Sequence, residues 1–201
     1  MMVTVPKWLK VFYHSVEWQV NDDSNSIFIT FDDGPHPEIT PKVLDMLDEY
    51  NAKATFFCVG DNVRKYPETY QQILSRGHRT GNHSFNHLNG WKTAYRQYVQ
   101  NVRKAATLID SDLLRPPYGK IGPMQLRHLK KDYRIIMWTV LTYDFSKVIT
   151  QEQCLQNSLI GLKPGSIVVF HDSEKSADNM LYALPGFLKQ CNSLGLNAKT
   201  L

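Results

Sequence analysis

The chain has 201 residues, of which 42% are hydrophobic, so it is long enough to bury the core of one globular domain. Its formal net charge of +4 comes from Lys and Arg residues scattered along the sequence without an arginine-rich stripe, which argues against a nucleic-acid partner. The three cysteines are odd in number and widely spaced, which favours reduced thiols over a disulfide framework.

Residues 1–25 are predicted to form an N-terminal extension, in which Trp8, Phe12 and Trp18 pack on the exterior of a domain formed by residues 26–201. Charged residues and a proline interrupt the first twenty positions, which therefore lack the apolar stretch of a secretory signal or a membrane span. A cytoplasmic location is the default expectation, and export or association with the cell envelope stays open.

From residue 26 onward, short apolar runs alternate with helical patterns, which is typical of a mainly parallel sheet with crossover helices. The predicted strands are Ile27–Phe31, Ala54–Val59, Arg79–Asn82, Leu113–Arg115, Arg134–Val140 and Ser166–Phe170, with a possible last one at Ala198–Leu201. Thr40 is predicted to be the N-cap of a helix with Pro41 at its first position. Further helices are predicted at Glu68–Ser75, Ala94–Ile109, Met124–Lys130, Gln151–Leu162 and Asn179–Asn192. These units fit a closed barrel or an open doubly wound sheet.

Reactive side chains occur at or just beyond the ends of the predicted strands. They are Asp32 and Asp33 after the first strand, His83 after the third, Arg115 at the end of the fourth, Asp144 past the fifth and His171 after the sixth. Parallel barrels and doubly wound sheets both bind ligands at the carboxyl ends of their strands. The sequence therefore predicts one functional site at this end of the sheet.

His83 and His87 are four residues apart, so in a helix both imidazoles would lie on one face and bind a single ion. One carboxylate of the Asp32 and Asp33 pair is the expected third ligand and the other is a candidate base, and the spacing leaves that assignment open. Two histidines and one carboxylate leave coordination positions for water and substrate, as in hydrolytic zinc sites.

The remaining groups supply what metal-assisted hydrolysis needs. Arg115 can provide a cation beside the base, and a backbone N–H near Tyr118, in a turn stiffened by prolines, can stabilise an oxyanion. His171 can be the acid that protonates the leaving group. Asp144 can pair with the His171 imidazole and raise the pKa of that imidazole.

The motifs TFDDG, HSFNH, RPPYG and VFH, with WTVLTYDF between the last two, resemble the polysaccharide deacetylase family, the NodB-homology domain of carbohydrate esterase family 4. The resemblance extends from about Ile27 to Leu188 and implies a deformed (β/α)7 barrel in a single domain. It also implies a divalent metal ion, usually zinc and sometimes cobalt or nickel. The implied reaction is hydrolysis of an N-acetyl group on an amino sugar of a poly- or oligosaccharide, with metal-bound water as the nucleophile.

The resemblance assigns a role to each site residue. Asp32 is implied to be the base, oriented by Arg115, and His171 the general acid with Asp144 as its partner. The implied metal ligands are Asp33, His83 and His87. The Tyr118 amide is implied to help stabilise the oxyanion, and substrate contacts are expected from Pro117, Tyr118, Phe145 and Val169.

Three positions depart from the family pattern. Leu141 replaces an acid that the family often has, Phe145 replaces a Trp, and Val169 replaces a Leu. These departures bear on substrate choice more than on catalysis. The two alternative functions are an amidase of the same superfamily that acts on a small non-sugar amide, and a barrel that binds carbohydrate without turnover.

Overall fold

The computed structural model describes residue 3, residues 15–21 and residues 24–201. The predicted packing of Trp8 and Phe12 lies outside the described residues. In the described part of the extension, Val16 is buried and Trp18 packs against a cluster that includes Val16. The division between an extension and a domain at residue 25 stays a prediction.

Parallel strands form one curved sheet in the order β5-β4-β3-β2-β1-β7-β6, with a short β8 paired to β1. The strands are β1 Ser26–Asp32, β2 Ala54–Cys58, β3 Arg79–Asn82, β4 Leu113–Leu114, β5 Arg134–Ile135, β6 Val140–Leu141, β7 Ile167–His171 and β8 Asn197–Ala198. All seven residues of β1 are buried, as expected for the central strand of a sheet covered on both faces. The last strand, β8, lies at Asn197–Ala198 and so begins one residue earlier than the predicted strand Ala198–Leu201.

Seven helices occur within the described ranges, most of them as connections between successive strands. They are α1 Ile39–Glu49, α2 Gly60–Lys65, α3 Pro67–Ser75, α4 Tyr95–Ala106, α5 Pro123–Leu129, α6 Gln151–Leu159 and α7 Ala177–Ser193. Two 3-10 turns, Gly90–Lys92 and Pro117–Gly119, lie in loops. None of the helices in the described ranges is long and apolar enough to cross a bilayer.

The two faces of β1 have different surroundings, because successive side chains alternate across a strand. Ile27, Ile29 and Phe31 belong to the main hydrophobic cluster, together with residues of α1 and α7. Phe28 belongs to a smaller cluster with Phe57 and residues of the other strands. The alternation therefore gives each face of the sheet its own core, and Asp32 ends the face that carries Phe28.

The segment between β4 and β7 closes the sheet into a deformed barrel. β5 pairs with β4, and after four positions that belong to neither strand β6 pairs with β7. Glu17 forms a bridge with Ile136, and Gln19 forms one with Ser166, so the N-terminal residues fill the gap. The prediction of one strand over Arg134–Val140 is wrong because this segment changes its pairing partner midway. The prediction of a single-domain deformed barrel is confirmed.

The predicted N-cap at Thr40 is also wrong. Helix α1 begins at Ile39, and its N-cap residue, Glu38, makes no capping hydrogen bond through its side chain. The Thr40 hydroxyl instead accepts a hydrogen bond from the His36 N–H (2.8 Å) and donates one to Asp172 Oδ2 (2.5 Å). Thr40 therefore links the start of α1 to the end of β7.

Candidate active site

The two acidic residues at the end of β1 have different environments. Asp32 is the last residue of the strand, is buried, and stands opposite His171 in the register of β1 and β7. Asp33 has a φ of +80°, a left-handed conformation, and its carbonyl accepts a hydrogen bond from Asn62 Nδ2 at 2.7 Å. The chain thus turns sharply between the two residues, which separates the two carboxylates.

Asp33, His83 and His87 form a candidate metal site. Asp33 Oδ1 lies 3.1 Å from His87 Nε2 and 3.7 Å from His83 Nε2, and one ligand atom from each residue lies within 4.8 Å of the others. A tetrahedral ion with bonds of about 2.1 Å places its ligand atoms about 3.4 Å apart. The donor set and its spacing therefore fit one divalent ion.

The tautomer of His83 suits this role. Its Nδ1 lies 2.8 Å from the Arg115 carbonyl oxygen, which can only accept, so Nδ1 carries the proton and Nε2 keeps its lone pair. Burial lowers the pKa of His83 to about 4, so the imidazole is neutral at neutral pH. A neutral imidazole with a free Nε2 is the form that binds a metal ion.

The segment from His83 to His87 is a loop, and not the helix in which a spacing of four residues would place both imidazoles on one face. Ser84 and His87 have positive φ angles of 61° and 52°, which fold the loop back on itself. The Asn82 side chain accepts a hydrogen bond from the Ser84 N–H, and the Asn101 side chain accepts two from the next N–H groups. Side-chain amides therefore hold the loop that brings the two imidazoles together.

Arg115 is fully buried and holds Asp32. Its Nη1 donates to Asp32 Oδ1 and to Thr30 Oγ1, both at 2.7 Å, and its Nη2 donates to the Met137 carbonyl at 2.9 Å. The guanidinium also stacks on the Phe57 ring at 4.1 Å. Burial lowers the pKa of Arg115, and the neighbouring Asp32 charge opposes that shift. The guanidinium therefore stays protonated and forms a buried ion pair with Asp32.

His171 and Asp144 form a second pair. Asp144 Oδ1 accepts a hydrogen bond from His171 Nδ1 at 2.8 Å, and its Oδ2 accepts one from the His171 backbone N–H at 2.6 Å. Burial on its own would lower the pKa of His171, but the charge and hydrogen bond of Asp144, assisted by the charges of Asp33 and Asp32, raise it to about 9. His171 is therefore protonated at neutral pH, with Nε2–H left available.

The turn at Pro117–Gly119 places Tyr118 beside the candidate metal site. Tyr118 has a φ of +61°, and its exposed ring lies 4.6 Å from the His87 ring, measured between centroids. Gly119 follows with a φ of +64°, and a Cβ there would lie 2.5 Å from a ring atom of Trp138. Only glycine fits at this position, so the turn is fixed against the barrel.

The sequence profile of the family described as polysaccharide deacetylase matches residues 19–133, more than half of the chain. The chain belongs to the polysaccharide deacetylase family. A peptidoglycan-N-acetylglucosamine deacetylase from Bacillus cereus is 32% identical over 83% of this chain, and the match spans 62% of that relative's length. A chitooligosaccharide deacetylase from Azorhizobium caulinodans is 33% identical over 77% of each protein.

The solved structures include a peptidoglycan N-acetylglucosamine deacetylase in complex with 4-naphthalen-1-yl-N-oxidanyl-benzamide. It superposes with a TM-score of 0.86 at 30% identity and covers 98% of this chain and 95% of that one. The predicted family, the predicted fold and the predicted enzyme class of polysaccharide deacetylase are thereby confirmed.

The residues predicted to contact substrate in this deacetylase have different surroundings in the structure. The Phe145 ring packs edge-on against the His171 ring at 5.0 Å, and Pro117 is buried next to Tyr118. Val169 is 1% exposed, lies opposite Leu141 in the register of β6 and β7, and precedes His171 by two positions on the same face of its strand. Its contact with substrate stays a prediction.

Sequence reasoning missed two residues that shape the deacetylase site. Asn62 binds the Asp33 carbonyl, as described above. Asp172 accepts hydrogen bonds from the Gly34 N–H at 3.0 Å and from Thr40, and burial raises its pKa to about 7. A Cβ at Gly34 would lie 2.1 Å from an Asp172 oxygen. Asp172 therefore anchors the loop that follows the two acids, a role that its position after His171 could have indicated.

Proposed function

We propose that this chain is a metal-dependent N-deacetylase that hydrolyses the N-acetyl group of an amino sugar within a glycan. The observation that supports it most is the convergence of three groups at one end of the barrel: a three-residue metal site, a buried Asp32–Arg115 pair and a protonated His171. The similarity to relatives named for N-acetylglucosamine and chitooligosaccharide substrates favours a glycan that contains N-acetylglucosamine.

The proposed cofactor is zinc, because two imidazoles and one carboxylate with open positions are the donor set of catalytic zinc sites. Cobalt and nickel accept the same donors. When bound by Asp33, His83 and His87, such an ion acts as a Lewis acid that polarises the amide carbonyl and lowers the pKa of a water molecule.

In the proposed mechanism, Arg115 orients Asp32, whose carboxylate accepts a proton from the attacking water. The Tyr118 amide is proposed to donate a hydrogen bond to the developing oxyanion. His171 then gives its Nε2 proton to the nitrogen as the C–N bond breaks, which releases acetate and leaves a free amine. Asp144 holds the His171 ring and compensates its positive charge until that transfer.

The protonation of His171 gives a testable pH profile. The acid form, which is the active one, predominates below the pKa and is lost as the pH rises through it. Since a cation bound by Asp33 offsets part of the charge that raises this pKa, we expect the alkaline limb of kcat/KM at or below about pH 9. Asp144→Asn is expected to lower kcat and to move that limb to lower pH. An unchanged limb in this variant, measured by acetate release against pH, would contradict the assignment.

The same pKa shift affects stability, and its sign follows from linkage. Because the pKa of His171 is raised in the folded state, the His171–Asp144 pair contributes fully to stability below about pH 6.5, the ordinary pKa of a histidine. That contribution is lost as the pH rises toward about 9. Thermal unfolding measured over this range is expected to show a decline that Asp144→Asn makes smaller.

The proposed function is tested by acetate release from chitooligosaccharides and peptidoglycan fragments, with added zinc or cobalt. The His83→Ala variant is expected to lose bound metal and activity together. The matched control is His128→Ala, which removes a histidine that is hydrogen-bonded to Tyr95 and Arg103 outside the site. This variant is expected to retain both its bound metal and its activity. Unchanged metal content in His83→Ala would refute the proposed metal site.

Other outcomes would change the function assigned. Turnover of ureides or imides with no action on sugars would identify a small-molecule amidase. Sugar binding without hydrolysis by the metal-loaded protein would identify a carbohydrate-binding barrel.

A further inference from the structure

Trp91 is an exposed aromatic residue that the proposed mechanism does not use. Its residue surface is 64% exposed, although an indole is one of the largest apolar side chains. It lies in the 3-10 turn Gly90–Lys92, which directly follows the loop that carries His83 and His87. An exposed indole gives up the stabilisation that burial of its apolar surface would provide. The contacts around Trp91 show whether the fold holds the ring in this exposed position.

The indole is held firmly despite its exposure. Its Nε1 donates to the Ile121 carbonyl at 3.2 Å, and its backbone N–H donates to the Asn89 side chain at 3.0 Å. Buried Gln125 donates through Nε2 to the carbonyls of Gly90 and Thr93. The turn is thereby tied to residues 121–125, and the ring is presented to solvent in a fixed orientation.

Glycine at position 90 is needed for this close approach. A Cβ there would lie 2.3 Å from the Lys120 carbonyl oxygen, and the Gly90 N–H donates to that same oxygen at 3.2 Å. The two loops therefore meet backbone to backbone, and this contact brings Lys120 over the indole. Its Nζ lies 5.4 Å from the centre of the Trp91 ring.

The exposed indole lies near the candidate active site along the chain. Trp91 follows His87 by four residues, which span at most about 14 Å of extended chain. Lys120 follows Tyr118 by two residues, and the Tyr118 ring contacts the His87 ring. Trp91 and Lys120 therefore lie close enough to the metal site for a second sugar of a glycan bound there to reach them.

The surroundings of this pair are cationic. Residues 69–131 contain eleven Lys and Arg residues and only two acidic residues, Asp110 and Asp112, although no stripe of arginines marks the sequence. The exposed cations of helices α4 and α5 and of the segments next to them include Lys92, Arg96, Arg103, Lys104, Arg127, Lys130 and Lys131. Among the described residues, none of these seven forms an ion pair with a carboxylate. The two helices pack against each other, so these charges share one side of the barrel.

We propose that Trp91 and Lys120 form a second sugar subsite, which selects glycans that bear carboxylates. The flat face of an indole binds the C–H face of a sugar ring, and the Lys120 ammonium, 5.4 Å from the ring centre, attracts an acidic substituent. The remaining cations steer an anionic chain toward the site. This inference rests on the proposed function, because the subsite holds the chain whose neighbouring sugar is deacetylated.

The test compares a neutral chitopentaose with a peptidoglycan-derived tetrasaccharide whose lactyl carboxylates are free. Trp91→Ala is expected to raise KM about three- to tenfold for both, from the usual strength of aromatic stacking, and to leave kcat unchanged. Trp91→Phe is expected to restore most of the loss. Lys120→Met is expected to raise KM for the carboxylate-bearing substrate alone and to reduce its salt dependence. Lys92→Met, in the same turn, is the control and is expected to change KM less.

A binding measurement separates failure of the subsite from failure of the proposed function. The tetrasaccharide is titrated against tryptophan fluorescence in the wild type and in Trp91→Phe. A fluorescence change that disappears in Trp91→Phe supports the subsite even if the wild type releases no acetate, which would refute only the deacetylase proposal. An equal KM for wild type and Trp91→Ala on both substrates, with an unaltered fluorescence change in Trp91→Phe, would overturn the subsite.

Discussion

Replacement of Asp32 by asparagine is expected to lower kcat by about 10²- to 10⁴-fold, the usual contribution of a general base. Asparagine keeps the shape of the side chain and can still accept a hydrogen bond from Arg115, but it cannot take a proton from water. The three candidate metal ligands do not include Asp32, so the variant is expected to bind metal in the same amount. Acetate release and metal content, measured on the same preparation, check both expectations.

Asp33→Asn is the matched comparison, because it makes the same chemical change one residue further along. Asp33 Oδ1 lies near both His83 and His87, so this variant is expected to lose metal as well as activity. If Asp32→Asn keeps full activity, or if the two variants lose metal equally, the division between base and ligand is wrong.

Replacement of Arg115 by methionine is expected to lower the free energy of unfolding by about 3–5 kcal/mol, the cost of breaking a buried ion pair from one side. Methionine retains much of the volume but leaves the Asp32 carboxylate buried without its cation, and it also leaves Thr30 Oγ1 and the Met137 carbonyl without a donor. Denaturant unfolding of the two proteins measures the difference.

The double variant Asp32→Asn with Arg115→Met separates the charge effect from the packing effect. Since it removes the uncompensated charge, we expect it to be more stable than Arg115→Met alone, with a coupling energy of about 0.5–3 kcal/mol. Strictly additive losses would show that Arg115 acts through packing on Phe57 and not through its pairing with Asp32.

The location of the site was predictable from the sequence because parallel strands bring their carboxyl ends together. Asp32, His83, Arg115 and His171 all lie at such ends in the structure. The assignment of base and ligand was not predictable from spacing and came from the family resemblance. In the structure the environments of the two acids differ because Asp33 adopts a left-handed conformation, which no periodic pattern reveals.

Other features escaped the sequence because they depend on contacts between distant segments. The loop from His83 to His87 owes its shape to Asn101, which lies on α4. Threonine is a common N-cap residue, but the Thr40 hydroxyl instead donates a hydrogen bond to Asp172, more than 130 positions away. The predicted strand over residues 134–140 is divided because its two ends have different neighbours. Local propensity cannot anticipate any of these partners.

Arg115 contributes to both halves of the candidate site, since its guanidinium binds Asp32 and its backbone carbonyl binds His83 Nδ1. One residue thus sets the separation between Asp32, the proposed base, and His83, a proposed metal ligand. A small displacement of the chain at the end of β4 would carry both groups with it and preserve their spacing. Side-chain substitutions at position 115 should release only the Asp32 carboxylate, because the backbone carbonyl remains to hold the His83 imidazole.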